Sequence, residues 1–167
     1  MILIGLGANL PSQAGAPAAT FAAAIDALGE NGVRVLARSR WYRTAPVPAS
    51  DQPDFLNGVV SVATSLEPGD LLALLHRVEA RFGRVRGVPN AARSLDLDLL
   101  AFDGRVMTGP AGPILPHPRL HERAFVLLPM KDVAPGWCHP LLGRTVEEMI
   151  AALPPGQEAT PLSSDAH

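Results

Sequence analysis

Apolar spacing switches twice along this chain, from the alternation of a strand to the three- and four-residue steps of a helix. That order restricts the fold more than any single motif does. The opening run ILIGL, residues 2–6, is aliphatic and β-branched, and Gly7 with Asn9 ends it, as in a buried strand entering a turn. After a Pro/Gly/Ser loop, AATFAAAIDALGENG sets Phe21, Ile25 and Leu28 at helical spacing until Gly29 and Gly32 stop it. VRVLARSRWYR alternates Val33, Val35 and Ala37 against Arg34, Leu36, Arg38 and Arg40, which predicts one strand with a wet face; FLNGVVSVATS predicts another. Between them TAPVPASDQPD holds Pro46, Pro48 and Pro53, which a central strand excludes. EPGDLLALLHRVEARFG places Leu71, Leu75, Val78 and Phe82 at helical steps between Pro68 and Gly83. SLDLDLLAF then predicts a strand, and HERAFVLLPMKDVA and TVEEMIAAL predict short helices. PPGQEATPLSSDAH, residues 154–167, has little apolar surface and predicts a fraying, flexible tail beyond a single domain over 1–153.

Strand, helix, strand, strand, helix, strand is the order of an α+β, ferredoxin-like arrangement. It gives an antiparallel sheet with helices packed on one face, here with helical additions at the end. The 167 residues suffice for one such core without disulfides. A net charge of −2 and strands without an RNP-type aromatic pair argue against a nucleic-acid partner. MILIGLGANL has no basic n-region, and no run approaches the roughly 18 apolar residues of a membrane span, so a cytoplasmic monomer without a membrane partner is expected. Cys138, the lone cysteine, has no charged neighbour in sequence and predicts a buried, inert thiol.

Chemistry concentrates in RSLDLDLLAFDG, residues 93–104, where two aspartates interrupt an apolar strand. Strand alternation puts Asp96 and Asp98 on one face, ~7 Å apart, and Leu95, Leu97 and Leu99 on the other. Two carboxylates that close repel unless water or a cation intervenes, and their hard oxygens suit magnesium held against phosphates. By itself the pattern is more often that of a solvated strand face. Arg84, Arg86 and Arg93 lie just upstream, and His117, Arg119, His121 and Arg123 follow in LPHPRLHERAF; guanidinium forks match phosphate oxygens. No P-loop is present, since Lys131, the only lysine, follows no glycine-rich run. The histidines lack zinc spacing. In DQPDFLNG, Phe55 and Asn57 share a strand face, an aromatic plate beside an amide that suits a flat heterocycle with donors and acceptors on its edge.

YRTAPVPASDQPDFLNGVV, GRVR, RSLDLDLLAFDG and LPHPRLHERAFVLLPMKDVAP, in this order after GLGANL, resemble the bacterial 6-hydroxymethyl-7,8-dihydropterin pyrophosphokinases of folate biosynthesis across most of residues 1–150. The resemblance implies transfer of diphosphate from ATP to the pterin hydroxymethyl group, with AMP released. It implies two magnesium ions on Asp96 and Asp98, with Arg84 and Arg93 also catalytic. Phe55 and Phe125 would sandwich the pterin, and Asn57 with backbone groups around Thr44 and Val47 would read its edge. Arg84, Arg86, Arg93, His117 and Arg123 would meet the ATP phosphates and closing loops, and Leu72 and Glu79 would line the nucleotide side. The chain departs from the family at GVPNAARS, which lacks the usual tryptophan before the arginine, at Pro118 and at His76. A nucleotidyl- or glycosyltransferase using Asp-x-Asp would instead release diphosphate or a nucleoside diphosphate, and a ferredoxin-like ligand sensor would consume no ATP.

Overall fold

A computed structural model describes residues 1–46, 49–83, 92–110 and 112–162. Strand β1 (Ile2–Ala8), helix α1 (Pro17–Glu30), strands β2 (Arg34–Arg38), β3 (Tyr42–Thr44) and β4 (Phe55–Ala63), helix α2 (Pro68–Arg81) and strand β5 (Asp96–Phe102) form the split βαβ core. A 3-10 turn (Leu120–Glu122), helices α3 (Ala124–Val133) and α4 (Val146–Ala151) and strand β6 (Ala159–Pro161) follow. All pairings are antiparallel; the sheet runs β5-β1-β4-β3-β6, with β2 also on β4.

Period-two alternation in β1 separates the two cores. Ile2, Ile4, Leu6 and Ala8 face α1 and α2, joining Phe21, Leu28, Leu71 and Leu75, while Leu3 turns to the other face, with Val126, Leu127 and Met130 of α3. The helical additions therefore cover the face that the split βαβ core leaves open. Both α1 and α2 start on a proline, whose missing N–H costs nothing in a first turn. Helix α4 starts with a capping box, Thr145 Oγ1 accepting from the Glu148 N–H and the Glu148 carboxylate from the Thr145 N–H.

The single strand expected over 33–43 is two strands. Ser39 interrupts it: its N–H donates to the Val59 carbonyl, and its Oγ accepts from the Val59 N–H at 2.9 Å and donates to the Arg40 carbonyl. Trp41 then turns inward onto the face of Gly58, edge-on to Phe21. The tail also behaves differently from its composition. β6 pairs with β3, and the Leu162 N–H donates to the Trp41 carbonyl at 2.8 Å, so main-chain bonds dock a segment poor in apolar surface. Residues 163–167 lie outside the described residues. Cys138 is exposed rather than buried, because His139 beside it takes the inward position.

Asp132 of α3 ties that helix to the β2–β3 break. Its carboxylate accepts from the Arg40 N–H, from the Arg40 guanidinium at 3.2 Å and from the Tyr42 hydroxyl at 3.0 Å. Burial works to raise its pKa, but these bonds outweigh burial and hold it below the ordinary carboxylate value. The resulting stability is full above the ordinary carboxylate range and is lost as pH falls through the lowered native value. Asp132→Ala is expected to cost about 1–2 kcal/mol, part of the network being solvent-screened. Thermal melts should show a fall of about 3–6 °C at neutral pH, shrinking in acid.

Candidate active site

Alternation along three neighbouring strands builds the floor of a cavity on the α3 face of the sheet. Asp96 pairs with Gly7, which pairs with Asn57; Asp98 pairs with Gly5, which pairs with Val59. Two glycines thus separate the carboxylates on β5 from the side chains on β4, a span of two strand spacings, roughly 10 Å. With no side chain at Gly5 or Gly7 the space stays open, forming a cavity of about 400 Å³. Phe55, Asn57 and Thr44 lie toward its β3 side, Arg93, Asp96 and Asp98 at its β5 side, and Arg119, Arg123 and Phe125 line it from the start of α3.

Each wall is held by named bonds. Asn57 is buried, and its amide nitrogen donates to Thr44 Oγ1 at 2.7 Å, which leaves its carbonyl oxygen turned toward Gly7. Arg93 donates from Nη1 to Asp96 Oδ2 at 2.9 Å. The Arg123 guanidinium lies over the Phe125 ring, 5.3 Å from its centroid. Burial, then the neighbouring Arg119, pushes the Arg123 pKa down from its usual value, while Asp98 and Asp96 oppose the shift. An arginine so placed remains charged and presents its fork to the cavity. Among the described residues no group of three or more His, Cys, Asp or Glu side chains could hold a metal. Asp96 and Asp98 alone fit magnesium, which commonly takes one or two carboxylates and completes its shell with water and substrate phosphates.

His117 lies beside this cluster rather than in the cavity lining. Its N–H donates to the Leu100 carbonyl at 2.9 Å, and its Nδ1 accepts from the Arg119 N–H at 3.2 Å, placing the ring proton on Nε2. Burial first, then Arg123, lower its pKa to about 4, against the attraction of Asp96. Because the native value lies below the unfolded one, the unfolded chain takes the proton first. Stability is therefore full above about pH 6.5 and lost as pH falls toward 4. The His117 Cε1–H resonance is expected to titrate near pH 4 in the free protein and to move upward when tripolyphosphate is added, since an anion favours the imidazolium.

Of the remaining expected site residues, Leu72 and Glu79 lie on α2, away from the cavity lining. Glu79 is buried and accepts from the Leu97 N–H at 2.8 Å. Leu97 sits between the two aspartates on the edge strand, so Glu79 fixes the backbone that aims them. Val47, Arg84 and Arg86 lie outside the described residues. Asn9, expected only to end a strand, proves central: its Oδ1 accepts from the Arg93 N–H at 2.8 Å and its amide donates to Gln52 Oε1 and the Pro53 carbonyl. An asparagine closing an apolar strand was the available cue. Pro154 and Gln157 also line the cavity, and nothing in the composition of the tail marks them.

Comparison with known proteins places these features in context. Residues 3–135 match the family described as 7,8-dihydro-6-hydroxymethylpterin-pyrophosphokinase (HPPK). The 2-amino-4-hydroxy-6-hydroxymethyldihydropteridine pyrophosphokinase of Methylorubrum extorquens is 40% identical over 153 residues, 91% of this chain and 92% of that protein. The enzyme of the same name from Pseudomonas aeruginosa is 38% identical over 92% of this chain and 91% of its own length. The folic acid synthesis protein fol1 of Pneumocystis carinii is 37% identical over 87% of this chain, which spans only 19% of that protein. Among solved structures, an HPPK-DHPS in complex with substrates superposes with a TM-score of 0.66 at 12% identity, over 90% of this chain and 42% of that one, a likeness of fold.

Proposed function

Since this chain belongs to the 7,8-dihydro-6-hydroxymethylpterin-pyrophosphokinase family and transfers diphosphate from ATP to hydroxymethyldihydropterin in folate biosynthesis, we propose that the cavity between β5, β1, β4 and the start of α3 is where the transfer occurs. One observation carries the proposal: the two carboxylates and arginines line one side of the cavity, and Phe55 with a buried amide lines the other. The pterin ring is assigned to the side of Phe55, Phe125, Asn57 and Thr44, with the backbone near Val47 completing its edge. Asn57, its nitrogen committed to Thr44, offers its carbonyl oxygen to a ring donor. The triphosphate is assigned to Arg93, Arg123 and His117, with Arg84 and Arg86 joining them and Leu72 and Glu79 on the nucleotide side.

The hydroxymethyl oxygen attacks the β-phosphorus in line; the new P–O bond forms as the bond to the α-phosphate oxygen breaks, AMP leaves with that oxygen, and the hydroxyl proton is released to water. Magnesium on Asp96 and Asp98, two ions in this assignment, would neutralise phosphate charge. The protein's own contribution is positioning and fixed charge. Arg93 is oriented by Asp96 and by Asn9, so its fork needs little reorganisation as negative charge shifts. His117, neutral at pH 7, serves as an Nε2–H donor to a phosphate oxygen rather than as a base. Incubating the protein with ATP, magnesium and 6-hydroxymethyl-7,8-dihydropterin should release AMP only when pterin is present. Well-folded protein that forms no AMP, or forms it equally without pterin, overturns the assignment.

A further inference from the structure

Gln157 stands in the tail segment, yet its side chain makes two backbone hydrogen bonds at the mouth of the cavity. Its Oε1 accepts from the Ala124 N–H at 2.9 Å, and its Nε2 donates to the Glu122 carbonyl at 2.8 Å. Those two peptide groups flank Arg123. Ala124 opens α3, where first-turn N–H groups have no intrahelical acceptor, and the N-cap residue Arg123 makes no side-chain cap bond. Gln157 supplies the missing acceptor from 33 residues away. Two residues later the same segment enters β6 and pairs Ala159 with Thr44, the residue that holds Asn57. One short stretch of chain therefore grips both sides of the cavity: the α3 wall with Arg123 and Phe125, and the strand beneath Thr44.

We propose that Gln157 is a positioning residue for the heterocyclic substrate, setting the gap between the Phe125 wall and the Asn57–Thr44 floor through the Glu122 and Ala124 backbone. The inference rests on the assignment of the pterin ring to that side. Without Gln157 both peptide groups turn to water, and the junction between the 3-10 turn and α3 is free to rotate, carrying Phe125 with it. Of the described residues assigned to the nucleotide, only Arg123 lies in the gripped junction; Arg93, Asp96 and Asp98 stand on or beside β5, and the bonds that hold Arg93 run to Asn9 and Asp96.

The test titrates fluorescent 6-hydroxymethylpterin into the full chain without nucleotide and measures KM for dihydropterin and ATP separately, in wild type, Gln157→Leu, Gln157→Glu and Phe125→Ala. Gln157→Leu should weaken pterin binding and raise pterin KM about tenfold, with ATP KM rising about threefold at most, since Arg123 is the one phosphate-side residue in the loosened junction and Arg93 keeps its own bonds. Gln157→Glu, which keeps the acceptor for Ala124, should fall between wild type and Gln157→Leu. Equal losses for both substrates mean a merely structural role and overturn the proposal. If Phe125→Ala binds as wild type does, the pterin assignment fails and takes this inference with it. If Phe125→Ala is weakened but Gln157→Leu is not, the inference alone fails. Should Gln157→Leu not fold, Gln157→Glu decides: weaker pterin binding at an unchanged melting temperature supports the proposal, and wild-type binding overturns it.

Discussion

Replacing Asp96 and Asp98 together by alanine is expected to lower AMP release by at least about 10³-fold, because both the oxygens proposed to hold magnesium and the partner that orients Arg93 disappear. The thermal midpoint should stay level or rise. Two carboxylates on one face of a strand repel each other, and Arg93, paired with Asp96, and Arg123, within reach of both aspartates, offset part of that cost. Sites that hold such strain trade stability for activity. Pterin binding should survive, since Asn57 and Phe55 stand on β4, separated from β5 by β1. Asp96→Asn with Asp98→Asn keeps the shape and removes the charge, and the same loss of turnover is expected. Turnover within tenfold of wild type in either double variant would remove these aspartates from the reaction. Loss of pterin binding together with the melting transition would instead show that they hold the strand.

What the sequence made legible is what repeats. Leu71, Leu75 and Val78 declare α2, and the alternation through Leu95, Leu97 and Leu99 puts Asp96 and Asp98 on one face, as the β5 register has them. A slip of one residue would have buried both charges, so the apolar face pins the register. The features that escaped depend on contacts between distant residues. The break between β2 and β3 exists because Gly58 makes room for Trp41, and no local period reports that fit. Asn9 and Gln157 act by bonding main-chain groups 84 and 33 residues away, at Arg93 and Ala124, so their importance leaves no pattern in their own neighbourhood. β6 escaped because strand pairing uses backbone groups that every sequence carries. The clustering of basic residues around the Asp-x-Asp strand pointed to Arg123, whereas Phe125 came from the resemblance to a known family alone, since spacing could not bring it to the cavity.

Gly58 and Gly7 lie on adjacent strands with opposite faces to protect, and alanine at each should fail in a different way. A Cβ on Gly58 would overlap the six-membered ring of Trp41. The indole has little room to retreat, because Phe21 packs against it at 5.1 Å between centroids and is itself fully buried. Gly58→Ala should therefore cost about 3 kcal/mol, as overpacking of a rigid core does. In a chain of this size that lowers the melting temperature by about 6–12 °C. A Cβ on Gly7 would come within 2.9 Å of Asn57 Oδ1, the end of a side chain that can swing away if it gives up Thr44. Gly7→Ala should keep most of its stability but lose about tenfold in pterin affinity, since the displaced amide no longer faces the position proposed for the ring edge. Melting curves and pterin titrations on both variants separate the two faces. A Gly7→Ala protein that binds pterin normally would take Asn57 out of the recognition edge, and a Gly58→Ala protein that melts with wild type would mean that Trp41 has a second place to pack.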